Sequence, residues 1–164
     1  TRSTQTFTDN MTTYIDTPGL IDADRKGRPE IANQITKALN KTGTYKLFFV
    51  VTEDMGRVRM MDQVMMHLVL ESIPIVRGDF GVIVNKMEND IAMRFKDDYR
   101  LFWEMLAYLF ANLPDIIPQV TLIERVPILA GKDNALWEPT QDFWKFVDRV
   151  HAVEIGQQNV RPIE

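Results

Sequence analysis

Two short polar runs in this sequence hold carboxylates, amides and a glycine in orders that can do chemistry. Asp16-Thr17-Pro18-Gly19 follows the β-prone run Met11 to Ile15, so a strand delivers a carboxylate to a loop that its Pro-Gly pair forces to turn. A hard carboxylate oxygen is the donor that magnesium prefers, and glycine lets the backbone come close to a phosphate. The same four residues equally make an ordinary turn. Asn85-Lys86-Met87-Glu88 directly follows the apolar run Phe80 to Val84. Its last carboxylate can accept two hydrogen bonds from neighbouring N–H donors, although a polar tetrapeptide after a strand also reads simply as a loop.

The elements that must position these residues alternate along the chain. After the strand at Met11 to Ile15, Pro29 stands where a helix begins, with Ile31, Ile35, Ala38 and Leu39 at helical spacing and Gly43 marking its end. Leu47 to Thr52 is a continuous apolar run, rich in β-branched and aromatic residues, that reads as a strand buried on both faces. A helix follows over Arg59 to Glu71, a second buried strand over Phe80 to Val84, and a long helix over Phe95 to Leu113, stopped by Pro114. Val120 to Val126 supplies another strand, and Thr140 caps a last helix reaching Val153. Strands alternating with helices argue for a mostly parallel sheet covered on both faces, a three-layer α/β sandwich. In that architecture ligands bind at the carboxyl ends of strands, where both polar runs lie.

In this order and spacing the two runs resemble the boxes of P-loop GTPases, D-x-x-G at Asp16 to Gly19 and N-K-x-D at Asn85 to Glu88, with glutamate in the last place. Gly43 to Asp62, including the Gly56-Arg57 pair, is similar to the corresponding strand and loop of septins and immunity-associated GTPases. The resemblance covers Ser3 to Val126 and implies a single partial, Ras-like G domain over residues 1–164, with a switch-like loop at 1–10 and a C-terminal tail at 155–164. It further implies that GTP or GDP binds with Mg2+: Asp16 and Thr4, or Thr6 in its stead, hold the metal, while Thr17 and the Gly19 amide approach the terminal phosphate. Glu88 then reads guanine N1 and N2, Lys86 lies along the base and Asn85 ties neighbouring loops. Ala130 and Gly131, in Ala130-Gly131-Lys132, stand in for the loop whose backbone amide touches the guanine O6.

The sequence departs from the family pattern in three places. No G-x-x-x-x-G-K-[S/T] phosphate loop occurs in it, so that loop, with the first strand and first helix, is expected upstream of Thr1. Without that cradle, the 164 residues alone are expected to bind GTP weakly or not at all. In the family's sheet the missing strand lies between the strand ending at Asp16 and Leu47 to Thr52, whose flanking edges would be left without their partner. The extra methylene of Glu88 moves the carboxylate relative to an aspartate. Leu20, finally, stands where Ras-type enzymes place the glutamine that orients water, and leucine neither donates nor accepts. No catalytic side chain is assigned. The function implied is a guanine-nucleotide switch domain, a slow GTPase in its complete form; the alternative is a pseudo-GTPase that keeps the fold as a protein-interaction module.

Composition is consistent with one soluble domain: 45% of residues are hydrophobic, 26% are charged, and the net charge is -4. Interspersed charges provide no basic block for nucleic acid, and the absence of cysteine fits a reducing, cytoplasmic setting. No apolar run approaches the length of a membrane span. Guanine nucleotide, an effector protein or a second copy of the chain are the expected partners. Met60, Met61, Met65 and Met66 read as core filling, and Trp103, Trp137 and Trp144 as packing residues. His67 and His151 have no metal-ligand spacing, and the pairs Asp97-Asp98 and Asp22-Asp24 read as loops and helix starts.

Overall fold

The computed structural model describes residues 4–9, 11–17, 28–111, 113, 118–129 and 138–163. In chain order the elements are β1 (Gln5–Asp9), β2 (Thr12–Asp16), α1 (Arg28–Leu39), β3 (Gly43–Tyr45), β4 (Leu47–Asp54), β5 (Arg57–Val58) and α2 (Met60–Ser72). These are followed by β6 (Phe80–Met87), α3 (Asn89–Asp97), α4 (Tyr99–Leu109), β7 (Gln119–Glu124), α5 (Gln141–Arg149) and β8 (Val153–Ile155). The described chain is thus mixed α/β with five α-helices. It divides into two compact units, one of Lys46–Gln63 and Gly78–Ala152, the other of Thr1–Tyr45, Val64–Arg77 and Val153–Glu164.

The first of these units holds a four-stranded sheet in the order β5-β4-β6-β7. β4, β6 and β7 run parallel, and β5 adds a short antiparallel edge opposite Glu53 and Asp54. β6 is the central strand of the parallel trio. Its apolar run Phe80 to Val84 is buried throughout, as expected of a strand hydrogen-bonded on both sides and covered on both faces. Phe49 meets Phe80 edge-on at 5.4 Å, and on the α5 side Ile83, Phe146 and Val150 pack with Phe48. Gly81 is required for that packing: a Cβ there would stand 2.7 Å from Phe48 Cδ1 and 2.9 Å from Phe146 Cζ.

β4 departs from the expectation of burial on both faces, since Val50 is 61% exposed. At the outer edge of the strand, β5 pairs only with Glu53 and Asp54 among the described residues. Just before that pairing, the Thr52 N–H donates to Asp62 Oδ2 at 2.8 Å, and the Thr52 carbonyl accepts from Arg59 N–H at 3.4 Å. No strand pairs with Leu47 to Val51 on that side among the described residues. The long helix expected from Phe95 to Leu113 is two helices. Asp98 leaves helical geometry (φ -130°, ψ 96°), accepts the Arg100 N–H at 3.0 Å and so starts α4 afresh, the role its reading as a helix start implied. Thr140 caps α5 as expected, accepting from Phe143 N–H at 3.3 Å.

In the other unit β1 and β2 form an antiparallel hairpin that pairs with no further described strand. The polar stretch expected as a loop therefore contains a strand, Gln5–Asp9, in which Thr residues and Phe7 supply β-propensity. Every residue of β1 and all but one of β2 are exposed, with Phe7 and Tyr14 facing each other across the pair at 6.2 Å. α1 buries Ile35, Ala38 and Leu39, as its spacing predicts. β8 pairs antiparallel with β3, so the last helix ends at Arg149 and the chain returns to a strand before residue 155. Of the methionine group only Met66 is fully buried, while Met60 and Met61 are exposed. Trp103 and Trp144 are also half-exposed, and pack at the surface against Tyr99 and Phe102 and against Phe143; Trp137 lies outside the described residues. No helix among the described residues is long and apolar enough to cross a membrane.

Candidate functional site

The unit with the parallel sheet brings Asn85 to Glu88 to the carboxyl edge. Alternation along β6 buries Met87 completely and turns Lys86 and Glu88 outward. Lys86 adopts a left-handed backbone (φ 62°), and the β6/β7 register shifts between Val84 and Met87, so the strand bulges where its polar residues begin. Asn85 Oδ1 accepts the Lys86 N–H at 2.8 Å and fixes the start of this bulge. Past it, the Met87 carbonyl accepts from Arg125 N–H at 2.8 Å, and the Glu88 carbonyl accepts from Ala92 N–H to begin α3.

A second carboxylate braces the strand ends. Glu53, the penultimate residue of β4, is only 5% exposed. One of its oxygens accepts the Gly56 N–H, and the other accepts the Glu88 N–H at 3.3 Å. The two-residue turn Met55-Gly56 has positive φ at both positions, which suits the twist of a tight hairpin and is why glycine stands second. Glu53 thus ties the β4–β5 turn to the first residue before α3.

The Glu88 side chain does not cap its own helix. Its Oε1 instead forms an ion pair with Arg125 Nη1 at 2.7 Å, with both side chains about half-exposed. Glu88, Arg125, Lys86 and Glu53 line a cavity of about 530 Å³ together with Arg59 and Arg94. A more apolar neighbouring cavity of about 480 Å³ includes Ile91, Phe95 and Tyr108. The first is rich in donors and acceptors of both signs and opens at the carboxyl ends of β4, β6 and β7. Such a place can hold a flat, polar, hydrogen-bonding group.

In the hairpin unit, Asp16 is the last residue of β2 and is paired in register with Gln5. Thr4 precedes Gln5 and therefore lies at the same end of the hairpin as Asp16 and Thr17. Its N–H donates to Gln34 Oε1 at 3.1 Å, while its buried Oγ1 finds no partner among the described residues. Thr6 sits inside β1 opposite Ile15. Gly19, Leu20, Ala130 and Gly131 lie outside the described residues. Among the described residues no three His, Cys, Asp or Glu gather as a metal cage. The donor types at this hairpin end, a carboxylate and a threonine hydroxyl, are nevertheless the hard oxygens that magnesium takes.

Glu53, Arg59, Arg94 and Arg125 escaped the sequence reading. Glu53 and Arg125 carry a signal that was available, because each ends or follows a parallel strand, as Asn85 does. Arg59 and Arg94 carry none: one precedes a helix, and the other sits inside a helix. No protein-family model, no curated protein and no solved structure matches this chain.

Proposed function

We propose that this chain is the base-reading part of a guanine-nucleotide-binding switch domain of P-loop GTPase type. The observation that carries this reading is the mounting of Asn85-Lys86-Met87-Glu88 on the central parallel strand, where Lys86 and Glu88 turn into a polar cavity at the carboxyl edge. Glu88 supplies the acceptor for the guanine N1 and N2 donors, Lys86 lies along the base and Asn85 holds the bulge that presents them. Asp16 and Thr4 would hold Mg2+, with Thr17 and Gly19 toward the terminal phosphate. Bound there, the ion would neutralise phosphate charge. Ala130 and Gly131 complete the base contacts in this reading. Effector proteins or a second copy of the chain are the partners that a nucleotide state would control, and the cytoplasm is the setting.

Equilibrium dialysis of the chain with labelled GMP and AMP tests the proposal. Binding is expected in the millimolar range, because a few charge-assisted hydrogen bonds of about 1.5–3 kcal/mol each must offset the cost of association. GMP should be retained and AMP not, and Glu88→Ala should abolish the difference. Equal retention of the two nucleotides contradicts the reading. One observation favours the pseudo-GTPase alternative: the reader carboxylate is already bridged by Arg125. In that reading the ion pair is a surface lock, and neither nucleotide is retained.

A further inference from the structure

The geometry points to Arg125 as a specificity-determining residue that, paired with Glu88, reads a cyclic amide edge, with Arg125 donating to the ring carbonyl and Glu88 accepting from the adjacent ring N–H. This inference rests on the guanine reading above and adds a residue and a selectivity to it.

Arg125 immediately follows β7, and its own N–H is pinned to the Met87 carbonyl at 2.8 Å, so its backbone is fixed to the strand that carries Glu88. The guanidinium reaches Glu88 with Nη1 2.7 Å from Oε1. A guanidinium has five N–H donors in a rigid fork, and a carboxylate has about four lone-pair sites on two oxygens, so the ion pair leaves donors on one partner and acceptor sites on the other. Both groups line the cavity and are half-exposed, so the remaining donors and acceptor are accessible there. The cavity therefore presents an N–H donor and a carboxylate acceptor side by side.

The complement of that pair is an acceptor next to a donor on one planar edge. Guanine and hypoxanthine carry it as O6 and N1–H; adenine carries the reverse, a donor amino group beside an acceptor nitrogen. Because Arg125 occupies the Oε1 side of the carboxylate, N1–H and the guanine N2 amino group no longer have one free oxygen each, and the contact to N2 is weakened. Inosine and guanosine nucleotides are therefore bound alike, whereas an unengaged carboxylate would reward N2.

The test is a titration of the 164-residue chain, followed by amide NMR shifts, with GMP, IMP, AMP and the monophosphate of 2,6-diaminopurine riboside. Wild-type protein should bind GMP and IMP within about threefold of each other and should not respond to AMP or the diaminopurine nucleotide. Arg125→Ala, whose amide spectrum reports whether it is folded, should weaken GMP and IMP equally, by about tenfold. Arg125→Lys should restore part of the loss, since it keeps one charged donor. If Arg125 only blocks Glu88, its removal tightens GMP more than IMP, and the inference is overturned. Wild-type binding that favours GMP over IMP tenfold or more also overturns it, while leaving the guanine reading intact. Absence of any GMP or IMP response around Lys86 to Asp90 overturns both.

Discussion

The strand that carries Asn85 and the strand that carries Asp16 look alike in sequence, a β-prone run ending in a polar box, but they are supported very differently. β6 is hydrogen-bonded on both sides by parallel neighbours, and its first five residues are all buried. β2 is paired only with β1 among the described residues, and four of its five residues are exposed. A box on the first kind of strand inherits the stiffness of a packed core, whereas a box on the second is positioned by one ladder of backbone hydrogen bonds. The sequence motif is the same kind of object in both places; its mechanical footing is not.

Core deletions should separate the two most sharply. Phe80→Ala removes a fully buried ring that meets Phe49 edge-on, and a loss of about 3–5 kcal/mol is expected in urea unfolding. Phe7→Ala removes a ring that is 66% exposed and should cost no more than about 1 kcal/mol, the value of one cross-strand pair. Similar losses at both sites would break the contrast. Gly81→Ala comes next. Its Cβ would press on Phe48 and Phe146, and overpacking of this kind costs about 1–3 kcal/mol.

Amide exchange sharpens the comparison within a single strand. The Thr52 N–H and carbonyl both face the outer edge of β4, so by alternation those of Val50 and Phe48 do too, whereas Phe49 and Val51 face β6. Exchange at Phe48 and Val50 should be about tenfold or more faster than at Phe49 and Val51, with the β1 and β2 amides faster than those of β6. Uniform protection along β4 would show that its outer edge is covered.

The smallest effect belongs to the start of α4. Hydrogen bonding to Arg100 holds the Asp98 carboxyl below its ordinary value of 3.8. A lowered folded-state value means that the contribution is fully present above the ordinary value and is lost as pH falls through the lowered one. Acid titration should loosen the α4 amides in that window, and Asp98→Asn should remove the pH dependence with little change near neutrality. The pair lies at the surface, where solvent screens it, so the effect should be slight.

The buried strand and its box were readable because a continuous apolar run bounded by polar residues has few other structures open to it. Helical spacing located α1 and α2, and a capping residue type located Thr140. Reading by pattern failed over Gln5–Asp9, where a polar strand with no buried face has no periodicity to show. It ran one helix from Phe95 across Asp98, missing the first turns of α3, because the break is made by the backbone turn of Asp98 and its side-chain hydrogen bond to Arg100 N–H. Val50 misled for a different reason: its exposure depends on what covers its face of β4, a nonlocal fact that one residue's type does not encode. At the site, Asn85 and Lys86 were legible as a motif. For Glu53 and Arg125 only their places at or after strand ends were legible, since their roles arise from contacts with Glu88 across 35 and 37 positions of sequence.

The central claim is that the end of β6 reads a guanine-type base. Amide shifts of the chain recorded against GMP and, separately, AMP test it most directly. The account predicts GMP-dependent shifts centred on Asn85 to Asp90, extending to Glu53 to Gly56 and Arg125, and none with AMP. Shifts of equal size with both nucleotides, or shifts centred elsewhere, would contradict it.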